Sequence, residues 1–371
     1  MKSFKVLLRS LIKNDATVEG GRHHPWWIAL ILFFVSAVLS IVPIFVQTIS
    51  KNGSDFVANA TRNLDTSLFS FIEDAQKSDI SFVIKELEDG SKYLESDTAK
   101  WDATYVTTNK DGYHCYQHKT ADNQIDLDVF YVPDLTNAVI TSIASDAPVT
   151  NEETGEVTYT KRDTSFMIFG KREMVVILYV KGNTSAVGSL YGDYKNLDAD
   201  YDILSSLATV TVEDQTVTFE NVTPTTFQAF KEGVWKNAKA FFDKAYLYNK
   251  GQLTWRTTLL MFGINVVLVL FMGLMIFILT RGKANPFRIY TFMECQFIAY
   301  WASLSPAILS LILGFVFSSF AQMMFALLVG VRVMWLSMKT LRPEYSATPQ
   351  QNTKKVVKTV EAKESKANKK K

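Results

Sequence analysis

Metal-ligating residue types cluster once in this 371-residue chain, in the run His114-Cys115-Tyr116-Gln117-His118. On a strand, His114, Tyr116 and His118 share a face; on a helix, the two histidines stand one turn apart, so either geometry presents two imidazoles together. Two ligands do not make a specific zinc site. Outside the apolar segments no further histidine is available, since His23 and His24 precede Pro25-Trp26-Trp27, where tryptophans suit a membrane interface. His114 and His118 are therefore the weak metal candidates, set against a surface strand with ordinary polar residues, and no cofactor is expected.

Carboxylates recur at Asp126 and Asp128 and at Asp198, Asp200 and Asp202, but without the glycine and closing glutamate of a calcium loop. Neither a nucleophile elbow, a phosphate loop, a dinucleotide fingerprint nor a zinc-protease motif occurs. No catalytic residue is assigned. The expectation is a non-enzymatic protein, with an ectoenzyme on glycan or peptide kept as an alternative because paired carboxylates meet only in the fold.

The other ionisable residues that matter are Glu294 and Arg332, the only charges in the fifty-residue apolar run 289–338. Burying such groups in a bilayer is unfavourable, so they are functional suspects by default. With a turn beside Gly314, the two lie level on antiparallel helices and pair; the readings are a structural salt bridge, separate snorkelling to headgroups, or a gate or proton relay. Pro306 stands in mid-span as a helix kink. A transporter or permease subunit using Glu294 and Arg332 is thus the second alternative.

These residues require four membrane spans. A bilayer core takes about 20 apolar residues per helix, which places spans at 26–47, 257–280, 289–313 and 315–338. Residues 281–288 form a short loop between two of them. Residues 1–25 place Phe4, Leu7, Leu8 and Leu11 at helical spacing beside Lys5, Arg9 and Lys13, as for a basic helix at the inner headgroups or packed on its own protein. Residues 339–371 form a Lys-rich tail too polar to build a core. It suits anionic lipid, while nucleic acid is not expected because interleaved aromatics are missing.

Charge fixes the orientation. Residues 49–256 hold 20 basic and 31 acidic residues, whereas the rest of the chain holds 19 basic and 6 acidic. Basic segments stay cytoplasmic, so both termini are expected inside and residues 49–255 outside, with 26–47 an uncleaved signal anchor in a cell membrane. Cys115 and Cys295 then lie in different phases, and no disulfide is expected.

The outer region reads as α+β. A helix is expected over 54–76, and another follows the cap-like Thr223-Pro224, with apolar residues from Phe227 to Ala245 on one face and an end near Asn249-Lys250-Gly251. The two are expected to pack side by side as a stalk. Between them, alternation predicts an antiparallel meander with strands at 105–108, 113–118 and 125–132, and further strands at 138–143, 166–169, 174–180, 209–212 and 216–219. Asn109-Lys110-Asp111-Gly112 is read as a turn, 146–155 as a polar loop, and 189–206 as mixed with a helix near its end. The predicted fold class is thus membrane α-helical, with one N-terminal and three C-terminal spans, carrying an extracytoplasmic domain of antiparallel strands flanked by two amphipathic helices.

Phe4-Lys5-Val6-Leu7-Leu8-Arg9-Ser10-Leu11, the single anchor, the mixed outer domain, and the three-span end with Tyr300-Trp301-Ala302-Ser303-Leu304-Ser305-Pro306-Ala307-Ile308-Leu309-Ser310 together resemble a family of uncharacterised bacterial membrane proteins. Members are sometimes labelled maltodextrin-utilisation proteins. The resemblance implies an association with sugar utilisation and carries over no catalytic residue. The expected role is accessory or regulatory in the cell envelope, with the outer domain binding a small ligand or protein partner.

Overall fold

A computed structural model describes residues 2–58, 64–97, 99–101, 113–122, 124–151, 154–180, 182–282, 285–317 and 320–341. The chain divides into two compact units, a helical one made of Met1–Ile49 and Thr254–Lys371 and a sheet unit, Ser50–Leu253.

In the helical unit, α1 (Lys2–Ser10) and α2 (Asn14–His23) precede α3 (Trp26–Ser50). The long helix α8 (Phe227–Leu279) supplies its last part to this unit, followed by a 3-10 turn (Pro286–Ile289), α9 (Phe292–Val316) and α10 (Ala321–Lys339). Among the described residues, α3, α8 and α9 are long and apolar enough to cross a membrane. Neither Pro43 nor Pro306 ends its helix, since both lie inside α3 and α9 respectively. Thr291 and Glu294 start α9 with a reciprocal capping box, which satisfies two amide donors that a helix start leaves open. The turn after α9 falls between 316 and 321 rather than at Gly314, which is buried in α9 while its carbonyl accepts from Gln47 Nε2 at 2.9 Å. Asn265 Nδ2 donates to Ser40 Oγ at 2.8 Å and Gln296 Nε2 to the Leu270 carbonyl at 3.0 Å, so polar side chains join the helices.

The basic N-terminal segment packs on its own protein. Val6, Leu7 and Leu11 join the apolar cluster of this unit, while Phe4 and Leu8 stay exposed. A second helix, α2, follows, which periodicity did not suggest because its buried residues, Ala16, Thr17, Gly20 and Gly21, are small or polar. A Cβ on Gly20 would stand 2.5 Å from the Trp301 ring, and one on Gly21 2.7 Å from the Ile298 backbone. The absent side chains are what let α2 approach α9.

The sheet unit is built on five strands in the order β3 (His114–Lys119), β4 (Ile125–Val132), β7 (Ser165–Gly170), β8 (Glu173–Tyr179), β9 (Ala186–Asp193). All neighbours are antiparallel except β4 and β7, which run parallel. The expectation of antiparallel strands is therefore corrected at β4 and β7. Between β4 and β7 the chain makes α6 (Asn137–Ser145) and the hairpin β5 (Asp146–Thr150)–β6 (Val157–Lys161). Two further hairpins join β1 (Val83–Glu86) with β2 (Lys92–Glu95) and β10 (Val210–Val212) with β11 (Gln215–Val217).

Both faces of the central strands are covered. Leu127, Val129, Tyr131, Met167, Phe169, Met174 and Val176 face one core, which α5 (Leu64–Lys77), α7 (Ile203–Ala208) and the start of α8 complete. Phe130, Val132, Phe166, Ile168, Val175 and Ile177 face a second core closed by Ile140 and Ile143 of α6. Burial on both sides explains why β7 and β8 read as unbroken apolar runs. The flanking helices lie side by side: the Phe69 ring is 5.8 Å from Phe227 and 5.9 Å from Phe230, and Lys231 Nζ donates to Thr66 Oγ1 at 2.8 Å. Gly53 and Ser54 of α4 (Gly53–Ala58) also sit on α8, with the Ser54 amide donating to Asp243 Oδ1 at 2.7 Å.

Several expectations need correction. Residues 138–143 form helix rather than strand, because Thr136 accepts from the Val139 amide and caps α6. The stretch 146–155 contains β5 and is no simple loop. No break occurs at Asn249-Lys250-Gly251, which lie inside α8. The strand at 105–108, the turn at 109–112 and the middle of the 54–76 helix lie outside the described residues.

Candidate functional site

The predicted histidine strand exists, as β3, and His114 and His118 pair in register with Tyr131 and Leu127. His118 is engaged by Asp126, with Nδ1 and Oδ1 2.6 Å apart, while Ser67 Oγ donates to the other Asp126 oxygen at 2.8 Å. The order Ser67–Asp126–His118 is not that of a nucleophilic triad, since the serine proton is turned to the carboxylate instead of an imidazole base. No group of three or more histidine, cysteine or acidic side chains is arranged for a metal among the described residues. Cys115 is buried, and that burial pushes its thiol well above its ordinary value, away from reactive thiolate.

Two residues further along β4, Asp128 is a buried charge. Its Oδ2 accepts from Arg162 Nη1 at 2.6 Å, and both side chains are almost fully buried. Arg162 also donates to the Ile143 carbonyl at 2.6 Å, the Asp146 carbonyl at 3.3 Å and Thr164 Oγ1 at 3.1 Å. The guanidinium thereby ties α6 and the β5–β6 excursion to β4, and stacks over Phe166 at 4.8 Å. Burial raises the Asp128 carboxyl above its ordinary value, against the pull of Arg162. Every donor direction that matters is answered within the protein, which marks a clasp more than a reaction centre.

A cleft of about 490 Å³ opens where the parallel strands β4 and β7 both end. Its walls are the β1–β2 hairpin, the segment 133–135 and the β7–β8 turn, and it presents Lys92, Lys171 and Arg172 with Tyr93, Asp134 and Glu173. The turn is pinned from three sides. The Lys171 amide donates to the Pro133 carbonyl at 3.1 Å, the Leu94 amide to the Lys171 carbonyl at 2.7 Å, and the buried Tyr194 hydroxyl to the Gly170 carbonyl at 3.0 Å. Gly170 permits this, because a Cβ there would meet Leu135 Cβ at 2.8 Å. Lys171 Nζ lies 5.0 Å from the Tyr93 ring centroid. Lys92 Nζ is turned to the Leu197 carbonyl at 2.5 Å, which leaves Lys171 and Arg172, on a fixed backbone, to bind an anion beside the Tyr93 ring. No sequence motif marks it, since its residues come from three separate stretches of chain.

In the helical unit, Glu294 and Arg332 do not answer each other. Glu294 Oε1 pairs with Arg22 Nε at 3.3 Å, and the Arg22 guanidinium lies 4.3 Å over the Tyr290 ring. Arg332, 6% exposed, donates to the Ser10 carbonyl at 2.8 Å, the Ile12 carbonyl at 3.3 Å and Thr17 Oγ1 at 3.3 Å. The expected pair is thus corrected: α1 and α2, which were not expected to enter this level, supply each charge with its own partner. Pro306 is buried in α9, five residues after Trp301.

Compared with protein-family models, curated proteins and solved structures, the chain matches none. What fold and composition define is a class: a membrane protein with three helices of spanning length and apolarity and a separate sheet-rich unit.

Proposed function

We propose that this chain is a four-span integral membrane protein of the cell envelope, with both termini inside and the sheet unit outside, whose cleft at the ends of β4 and β7 binds an anionic ligand or partner segment. The role is accessory or regulatory and not enzymatic, linked to sugar utilisation as the resemblance of the 300–310 stretch implies. The carrying observation is the pair Lys171 and Arg172 on a turn held by two backbone hydrogen bonds and the Tyr194 hydroxyl. Preorganised backbone and charge-assisted contacts favour binding, whereas a site for chemistry would need a nucleophile or acid–base pair directed into the same space. The permease reading draws less support, because Glu294 and Arg332 are held by Arg22 and by the α1–α2 turn.

The test is a thermal-shift titration of the full chain in detergent with glucose 1-phosphate, an acidic oligosaccharide and neutral maltohexaose. The anionic probes should raise the melting temperature and the neutral one should not, and Lys171→Gln/Arg172→Gln should abolish the rise. An equal response to maltohexaose, or an unchanged response in the double variant, would refute the cleft as the site.

A further inference from the structure

The last part of α8 and α10 leave an apolar groove of about 480 Å³ in the helical unit, walled by Phe271, Met275 and Leu279 on one side and Val333, Met334 and Met338 on the other. Flexible thioethers suit an occupant without fixed shape. At one end Asn285 donates to the Leu341 carbonyl at 3.1 Å and the Leu279 carbonyl at 3.5 Å, joining the ends of the two helices and closing the groove there. Gly330 leaves it open further along, since a Cβ at that position would meet nothing within 4 Å.

We propose that this groove holds one acyl chain of an anionic glycerophospholipid from the bilayer, with its headgroup at the Asn285 end. Two independent observations specify that ligand. The first is charge: Arg281, Arg288 and Lys339 lie within three residues of the groove-lining Leu279, Asn285 and Leu341 respectively, and no carboxylate pairs with them among the described residues. Arg281 and Lys339 instead face backbone carbonyls and rings, at 3.0 Å to the Tyr290 carbonyl and 5.4 Å to the Trp335 ring. Residues 342–371, which continue from Leu341, add nine Lys/Arg against three Glu. Such a segment is too polar to fill the groove itself. The second is Ser337, which lines the groove less than one turn from the end of α10; its hydroxyl is buried and has no hydrogen-bond partner among the described residues. A glycerol ester carbonyl at that depth would accept its proton, removing an otherwise unfavourable orphan.

The proposal rests on the reading of α8 and α10 as membrane spans, so its test separates the two. Full-length protein is reconstituted in phosphatidylcholine vesicles carrying spin-labelled phosphatidylglycerol or spin-labelled phosphatidylcholine, and the motionally restricted fraction is read by electron paramagnetic resonance. The expected result is a several-fold preference for phosphatidylglycerol. Gly330→Leu, which projects into open space, should remove one restricted lipid per protein. Arg288→Gln/Lys339→Gln should keep that lipid and lose the preference. Equal restriction of both lipids, or unchanged counts in Gly330→Leu, overturns the site. Disulfide dimers of Gly330→Cys overturn it in favour of a second copy in the groove. Release of the parent protein from vesicles by alkaline extraction would instead overturn the membrane-span reading beneath it.

Discussion

Arg332 Nη2 donates to the Ser10 carbonyl across 2.8 Å, so a cation on α10 closes the C-terminal end of α1. The last carbonyls of a helix are unanswered by its own backbone and carry the negative end of its dipole. No carboxylate is needed for a guanidinium in that position. This explains how an arginine buried in an apolar unit persists without an acidic partner.

Arg332→Met should therefore free the N-terminal helices. Three acceptors lose their donor, and hydrogen bonds from charged groups contribute about 1.5–3 kcal/mol each. Maleimide labelling of a cysteine placed at Ala16, buried in α2, should be slow in the parent and fast in the Arg332→Met background. Equal labelling rates would mean that the arginine is not what holds α1 and α2 down.

Gly20 and Gly21 should respond differently to the same substitution. Alanine at Gly20 strikes the Trp301 side chain, whereas alanine at Gly21 strikes the Ile298 backbone as well as its side chain. Overpacking of this kind destabilises by about 1–3 kcal/mol. Trp301→Leu should recover much of the loss caused by Gly20→Ala, and no shortening of Ile298 should recover Gly21→Ala. Thermal unfolding of the four single and double variants decides this, and rescue at Gly21 would contradict the packing described.

The Asp128–Arg162 clasp predicts strong non-additivity. Arg162→Met alone leaves a buried carboxylate without its partner, a loss of about 3–5 kcal/mol. Asp128→Leu/Arg162→Met should be less destabilised than Arg162→Met, because both charges are gone. Chemical denaturation of the sheet unit in the full chain measures the cycle, and simple additivity would show that the two side chains do not depend on each other.

Asp193 gives a pH dependence. Its burial raises the carboxyl above the ordinary value of 3.8, although the Lys195 amide donates to it at 3.1 Å. A raised value means that the folded state holds the proton more tightly. The stabilisation is complete below the unfolded value and is lost as pH rises through the folded one. Asp193→Asn keeps the acceptor and removes the charge, so it should be more stable than the parent at neutral pH, with the gap closing as pH falls toward 3.8. A gap that widens on acidification would reverse the assignment.

Much of this organisation was readable because it depends on local pattern. The apolar runs marked α3 and α9, and alternation marked β4 at its observed bounds, Ile125–Val132. What escaped was set by distant partners. Ala138 to Ile143 has β-branched residues at strand-like spacing, yet one threonine cap and a core waiting on one side make it helix. Glu294 and Arg332 looked like mutual partners only because α2 has no apolar stripe to announce itself. Its contact is made by what Gly20 and Gly21 lack, and an absence of side chain has no periodicity. The cleft was illegible for a related reason: the parallel pairing of β4 and β7 brings 133–135 beside Lys171 and Arg172, and the Leu94 amide, bonded to the Lys171 carbonyl, brings in the β1–β2 hairpin, and no local turn signals either contact.

The contact of Ser54 with Asp243 spans 189 residues of chain. The first turn of the sheet unit thus receives its final partner only when almost all of that unit has been made. Gly53, seated against Phe242, waits for the same event. During synthesis all five strands are made before that neighbour, so closure of the unit cannot precede the segment that begins at Phe227. A chain ending before Phe227 would leave Phe69 without the Phe227 and Phe230 rings that pack on it, the kind of exposed apolar surface that makes incomplete chains prone to aggregate.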